Sequence, residues 1–146
     1  MRRVPALLLA LLLPAGVAAQ EKEVLKVPGA VAGLPFSPAV KVGNVIYLSG
    51  VLGNLPGTRT LVPGGIREET RQTFGNMRMV LEAAGSSLDR VFKCTVFLAD
   101  IADYAAMNEV YATIFPVDPP ARSTVAGSGL ALGARVEIEC MATAGR

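Results

Sequence analysis

Histidine and tryptophan are absent from the 146 residues, and cysteine occurs only twice. Without imidazole there is no Ser-His or Cys-His nucleophile pair and no His-bearing metal site. Two cysteines are too few for a Cys-only zinc site or for a disulfide scaffold. Charge of one sign is scarce as well: 14 Lys+Arg against 12 Asp+Glu leave a formal +2, which is no footprint of nucleic-acid binding. The one unbroken apolar run near the start, Ala6 to Leu13, falls well short of the ~20 residues that cross a bilayer. What is present is enough chain for one domain with a buried core.

That apolar run follows Met1-Arg2-Arg3 and precedes Pro14-Ala15-Gly16 and the small residues Val17, Ala18 and Ala19. A basic start, an apolar stretch and a small-residue end are the order of a secretory signal peptide, cleaved after Ala19. Residues 1–19 are therefore expected to be a leader and 20–146 the domain, exported to a periplasm or secreted, with no stable membrane association after cleavage. Removing Arg2 and Arg3 leaves 12 basic residues (14 − 2) against 12 acidic ones. A neutral domain offers no electrostatic steering toward nucleic acid. An exported location permits a bridge between Cys94 and Cys140, which needs Cα atoms within ~7 Å. The plainer reading is two small buried core residues.

In the domain, Glu23 to Val27 is a strand candidate, followed by a Pro/Gly-rich loop to Pro38. Ala39–Val42 and Val45–Ser49 flank Gly43-Asn44, a two-residue turn that joins paired strands. Gly50 to Gly65 has no apolar period and reads as loop. From Ile66 to Ala84 one stripe, Ile66, Thr70, Phe74, Met77, Leu81 and Ala84, recurs at three- and four-residue steps, and Gly85 stops this helix. Gly75 inside it costs roughly 1 kcal/mol against Ala, so it is expected to mark close packing. Phe92–Leu98 alternates as a strand, Asp100 caps a second helix with Asp103 as a capping-box partner, and Tyr104, Met107, Tyr111 and Ile114 form its stripe, read as a core face. Arg122–Ala126 and Val136–Ala142 complete the order β-β-β-α-β-α-β-β. One mixed sheet with both helices on one face is an α+β layer architecture.

Few side chains here carry chemistry. Arg122 starts a strand behind Pro119-Pro120 with no acid within three residues of it in sequence. Its guanidinium is a rigid fork matched to a carboxylate; the plainer reading is an Arg that snorkels or pairs with a sheet carboxylate. Glu137 shares a strand face with Glu139. Such a pair is solvated or paired with Lys or Arg, or else one of them holds and deprotonates a water.

From Pro35 to Ala142 the chain resembles the YjgF/RidA family of enamine/imine deaminases. The matching segments include Phe36-Ser37-Pro38-Ala39-Val40, Tyr47-Leu48-Ser49-Gly50, Leu81-Glu82-Ala83-Ala84-Gly85 and Asp103-Tyr104 through Asn108 to Tyr111. The most specific are Pro119-Pro120-Ala121-Arg122-Ser123-Thr124-Val125 and Val136-Glu137-Ile138-Glu139-Cys140-Met141-Ala142. The resemblance implies a chorismate-mutase-like fold and a homotrimer with sites between subunits, needing no cofactor and no metal. It implies hydrolysis of 2-imino acids such as 2-iminopropanoate and 2-iminobutanoate to 2-oxo acids and ammonia. Arg122 would grip the substrate carboxylate with help from Thr124, Glu137 would activate the water, and Phe36, Ser49 and Asn108 would line the cleft. A non-catalytic module binding small carboxylates on the same scaffold is the alternative. Pro38, Val51, the missing hydroxyl at Phe36 and the stretch Ala126-Gly127-Ser128-Gly129 depart from the family pattern and imply a more apolar cleft, or one shaped for another ligand.

Overall fold

The computed structural model describes residues 20–145; the expected leader lies outside them. The strands are β1 (Lys22–Leu25), β2 (Ala39–Val42), β3 (Val45–Leu48), β4 (Val51–Leu52), β5 (Val91–Leu98), β6 (Ala121–Ala126) and β7 (Val136–Thr143). The helices are α1 (Ile66–Ala83) and α2 (Tyr104–Ile114), with short 3-10 turns at Leu88–Arg90, Ile101–Asp103 and Ala131–Gly133. A single mixed sheet runs β1-β2-β3-β7-β5-β6, with β4 also on β7. Among the described residues only β5 and β6 pair in parallel, joined through α2.

Alternation along the strands decides which face is dry. On β7, Val136, Ile138, Cys140 and Ala142 are buried while Glu137, Glu139 and Met141 lie on the other face. On β5, Cys94, Val96 and Leu98 share the dry side with them. Phe74, Met77 and Leu81 of α1 and Met107 and Tyr111 of α2 close over that side. Both helices thus cover one face of the sheet. Among the described residues, no helix covers the face that carries Tyr47, Thr95, Phe97, Glu137 and Glu139.

The helix ends follow local chemistry. Gly85 at φ +70° lets Ser86 N–H reach Leu81 O at 2.8 Å and Gly85 N–H reach Glu82 O at 3.0 Å, a Schellman close to α1. Asp100 accepts from Ala102 N–H at 2.9 Å and caps the turn leading into α2. Asp103 is no capping-box partner. Its carboxylate takes both arms of Arg135 at 2.8 and 2.7 Å and ties α2 to the approach to β7.

One further expectation is corrected, and one alternative left open by the sequence is decided. Gly75 marks no close approach, because a Cβ there would meet only Gln72 Nε2 at 3.7 Å. Gly75→Ala is therefore expected to stabilise the protein by about 0.5–1 kcal/mol, read as a higher urea midpoint, since Ala lowers the entropy of the unfolded chain without a clash. The cysteines are buried core residues and are also bridged. Cys94 and Cys140 are direct cross-strand partners with Cα atoms 4.1 Å apart. Strand register, which no spacing in the chain reveals, made the difference. The bridge closes a separation of 46 residues; in the chain-entropy account that contributes about 4 kcal/mol. A Cys94→Ala/Cys140→Ala double variant is expected to lose stability of that order in urea unfolding, and wild type under reductant should approach it.

Candidate functional site

Arg122 lies on β6, the free edge of the sheet, in register with Cys94 on the helix-facing side. Its guanidinium carbon sits 4.5 Å from the Tyr111 ring centroid and 5.6 Å from that of Tyr104. Nη2 donates to the Tyr104 hydroxyl at 3.3 Å, and Nη1 lies 3.9 Å from the Met107 sulfur. The ion pairs among the described residues are Lys41–Glu23, Arg67–Glu109, Arg71–Glu68 and Arg135–Asp103, so no carboxylate neutralises Arg122 there. Two aromatic faces and an edge strand hold this cation half-buried with its charge unspent.

Polar groups gather around it. Asn108 and Arg122 hydrogen-bond the Tyr104 hydroxyl and hold its pKa below the usual tyrosine value. Burial pushes Tyr111 upward, partly offset by the Arg122 charge. Thr124 shares the face of Arg122, and its hydroxyl is buried without a partner, as is that of Tyr111. Fork, hydroxyl and amide together form a surface for an anion with several acceptor oxygens.

Phe36, Ser49 and Glu137 stand elsewhere. β3 and β4 run in line along β7, but Leu48, Ser49 and Gly50 oppose only Glu139 and Cys140, which is a bulge of one residue. Bulges re-aim side chains. Here Ser49 Oγ donates to Ser37 O at 2.7 Å, fixing the loop that carries Phe36. Gly50 leaves room for Glu137: a Cβ there would overlap Glu137 Oε1. Burial pushes the Glu137 carboxyl above the ordinary carboxylate range, and the like charge of Glu139 adds to it. Phe36, Ser49 and Gly50 also line an open groove of about 580 Å³.

The six expected residues therefore divide: Arg122, Thr124 and Asn108 lie on the helix side, while Phe36 and Ser49 line a groove whose Gly50 faces Glu137. Arg122 points to the helix side and Glu137 to the uncovered side. Two strand steps and three residues of offset separate their Cα atoms by about 14 Å. Within one chain the fork and the carboxylate cannot meet on one small molecule.

Residues 27–144 match the family described as Endoribonuclease L-PSP. The chain belongs to that family. Reactive Intermediate Deaminase A, chloroplastic, of Arabidopsis thaliana is 44% identical over 84% of this chain and 66% of its own length. The 2-iminobutanoate/2-iminopropanoate deaminase of Mus musculus is 43% identical over 82% of this chain and 87% of its own. Protein mmf2, mitochondrial, of Schizosaccharomyces pombe is 47% identical over 75% of this chain and 88% of its own. Among solved structures, the yeast protein YEO7 superposes with a TM-score of 0.81 at 41% identity, covering 86% of this chain and all of that one. The fold is thus that of the YjgF/RidA proteins.

The expectation of a periplasmic or secreted protein is corrected by these relatives, two of which carry an organelle in their names. A basic leader without acids is common to secretory and organelle-targeting segments, and its composition did not separate them.

Against the family frame, sequence reasoning missed three residues. Tyr104 and Tyr111 fall on the stripe that periodicity assigns to the core. Tyr111 does pack on Phe74 and Phe115 in the core, but its other side carries the guanidinium, and Tyr104 is exposed beside it. The i, i+4 spacing of Tyr104 and Asn108 was the available signal. Gly50 ends the matching segment Tyr47-Leu48-Ser49-Gly50, and its role follows from the bulge.

Proposed function

We propose that this protein hydrolyses 2-imino acids to 2-oxo acids and ammonia, in a homotrimer whose sites each join the Arg122 cluster of one protomer to the Glu137 cluster of the next. The unneutralised Arg122 on a free sheet edge carries this reading, since both clusters are incomplete alone. The uncovered sheet face supports the assembly: Tyr47 and Val125 there are 39% and 50% exposed beside Phe97 and Met141. Closed rotational symmetry buries such a face and brings different strands together. Residues 1–19 are a leader removed before Gln20, which the intact mass of the mature protein checks.

In the reaction, the Arg122 fork binds the carboxylate and Thr124 adds a hydroxyl. A protonated imine carbon is already electrophilic, so no covalent nucleophile is needed. Glu137 takes a proton as water adds to C2, giving a carbinolamine. It returns that proton to nitrogen, and as the C–N bond breaks and ammonia leaves it takes the hydroxyl proton, so that the C–O bond becomes the carbonyl of the 2-oxo acid. Much of the gain is orientation of water against a fixed carbon. A carboxyl pushed upward by burial suits proton transfer better than an ordinary one. The absence of His and the balance of 12 basic against 12 acidic residues in the domain disfavour the ribonuclease chemistry in the family's description.

The test generates 2-iminopropanoate with an amino-acid oxidase and follows pyruvate against an imine trap. Acceleration supports the enzyme; tight binding of small carboxylates without acceleration supports the binding module instead. A monomer at micromolar concentration with full activity rejects the shared site. The pH profile adds a check. Glu137 works ionised, so activity should fall as pH drops through its raised pKa. Glu139→Gln removes the lesser of the two causes and should move that acid limb modestly to lower pH.

A further inference from the structure

We infer that the groove beside Phe36 and Ser49 is the subsite for the substrate's side chain, so that long apolar 2-imino acids are preferred over 2-iminopropanoate. The inference rests on the imine-hydrolysis reading above. The groove borders Glu137 at Gly50, which lines it and whose open side faces Glu137 Oε1. At about 580 Å³ it far exceeds what a single methyl group fills and lies within the range of small-molecule sites.

Its wall is apolar by chemistry and by hydrogen bonding. Val27, Leu34, Val51, Met79 and Leu132 join Phe36 along it. The polar residues among them are engaged with the backbone. Asn76 Nδ2 donates to Leu52 O and Asn54 O at 2.9 and 2.8 Å, and its Oδ1 accepts from Gln72. Asn54 and Thr58 bond within their own loop, and Ser49 holds Ser37 O. Among the described residues Arg59 is the one charged lining residue, and it is exposed. Leu34, Phe36, Met79 and Leu132 are 40%, 55%, 41% and 51% exposed, an apolar rim that a hydrocarbon chain would cover. A ligand fitting this surface has one polar end, held at the Arg122 and Glu137 clusters, and a tail with no hydrogen-bonding demand.

The experiment compares kcat/KM for the imines of alanine, norvaline, norleucine and 2-aminooctanoate, with propanoate and hexanoate as inert competitors. Each added methylene should raise kcat/KM about fourfold until the groove is filled, and hexanoate should compete correspondingly better than propanoate. Met79→Trp, with Leu34→Trp as a second variant in case the first misfolds, should flatten the gradient. A flat or falling gradient in wild type that still hydrolyses 2-iminopropanoate overturns the groove assignment and leaves the deaminase reading standing. A flat gradient together with a Met79→Trp protein that no longer assembles gives the groove to the neighbouring copy, which also overturns it. No hydrolysis of any imine overturns both.

Discussion

Arg122→Ala is expected to lower kcat/KM for 2-imino acids by roughly two to four orders of magnitude while assembly persists. A guanidinium–carboxylate fork comprises two charge-assisted hydrogen bonds of about 1.5–3 kcal/mol each, and each 1.4 kcal/mol is tenfold. The fold has little to lose: Arg122 makes no ion pair among the described residues, and its aromatic contacts contribute about 1 kcal/mol. Arg122→Lys keeps the charge without the planar fork and should recover only part of the activity. Tyr111 separates ring from hydroxyl. Tyr111→Phe keeps the face under the guanidinium and removes a buried unpaired oxygen, so activity and stability should hold. Tyr111→Leu frees the cation and should raise KM. Full activity in Arg122→Ala at unchanged KM rejects the carboxylate grip.

Glu137→Gln carries the other large effect. The amide has the carboxylate's shape and no basicity, so kcat should fall by about two to four orders of magnitude with KM nearly unchanged, the usual contribution of a positioned acid–base group. The acid limb of the pH profile should vanish with it. Gly50→Ala is the companion, because its Cβ would overlap Glu137 Oε1 and displace a mobile side-chain end without touching the core. It should reproduce the kcat loss with little change in thermal unfolding. If Glu137→Gln keeps full kcat, the water is activated by another group.

Periodicity made most elements legible. The steps from Ile66 to Leu81 place α1 to within a residue, and the alternation of Val136, Ile138, Cys140 and Ala142 against Glu137, Glu139 and Met141 assigns both faces of β7. Where apolar period is missing, the reading failed: β4 and the Asn54–Leu61 bridge hide inside Gly50–Gly65, because backbone pairing there relies on no side-chain pattern. Asp103 follows Asp100 at the capping-box interval, yet it answers Arg135, a partner 32 residues away. Local spacing cannot see such a partner.

The chain's order of residues determined by itself the element types, the dry face of each strand, the chemistry open to a protein without histidine, and the family. These follow from nearest-neighbour sterics and from the sorting of apolar groups away from water. Only the folded arrangement decided that Cys94 meets Cys140, that two tyrosines carry the guanidinium, and that a one-residue bulge opens space for Glu137. It also decided that Arg122 and Glu137 part to opposite faces of the sheet. Those are matters of register between strands distant along the chain, set by packing of the whole core rather than by any local stretch.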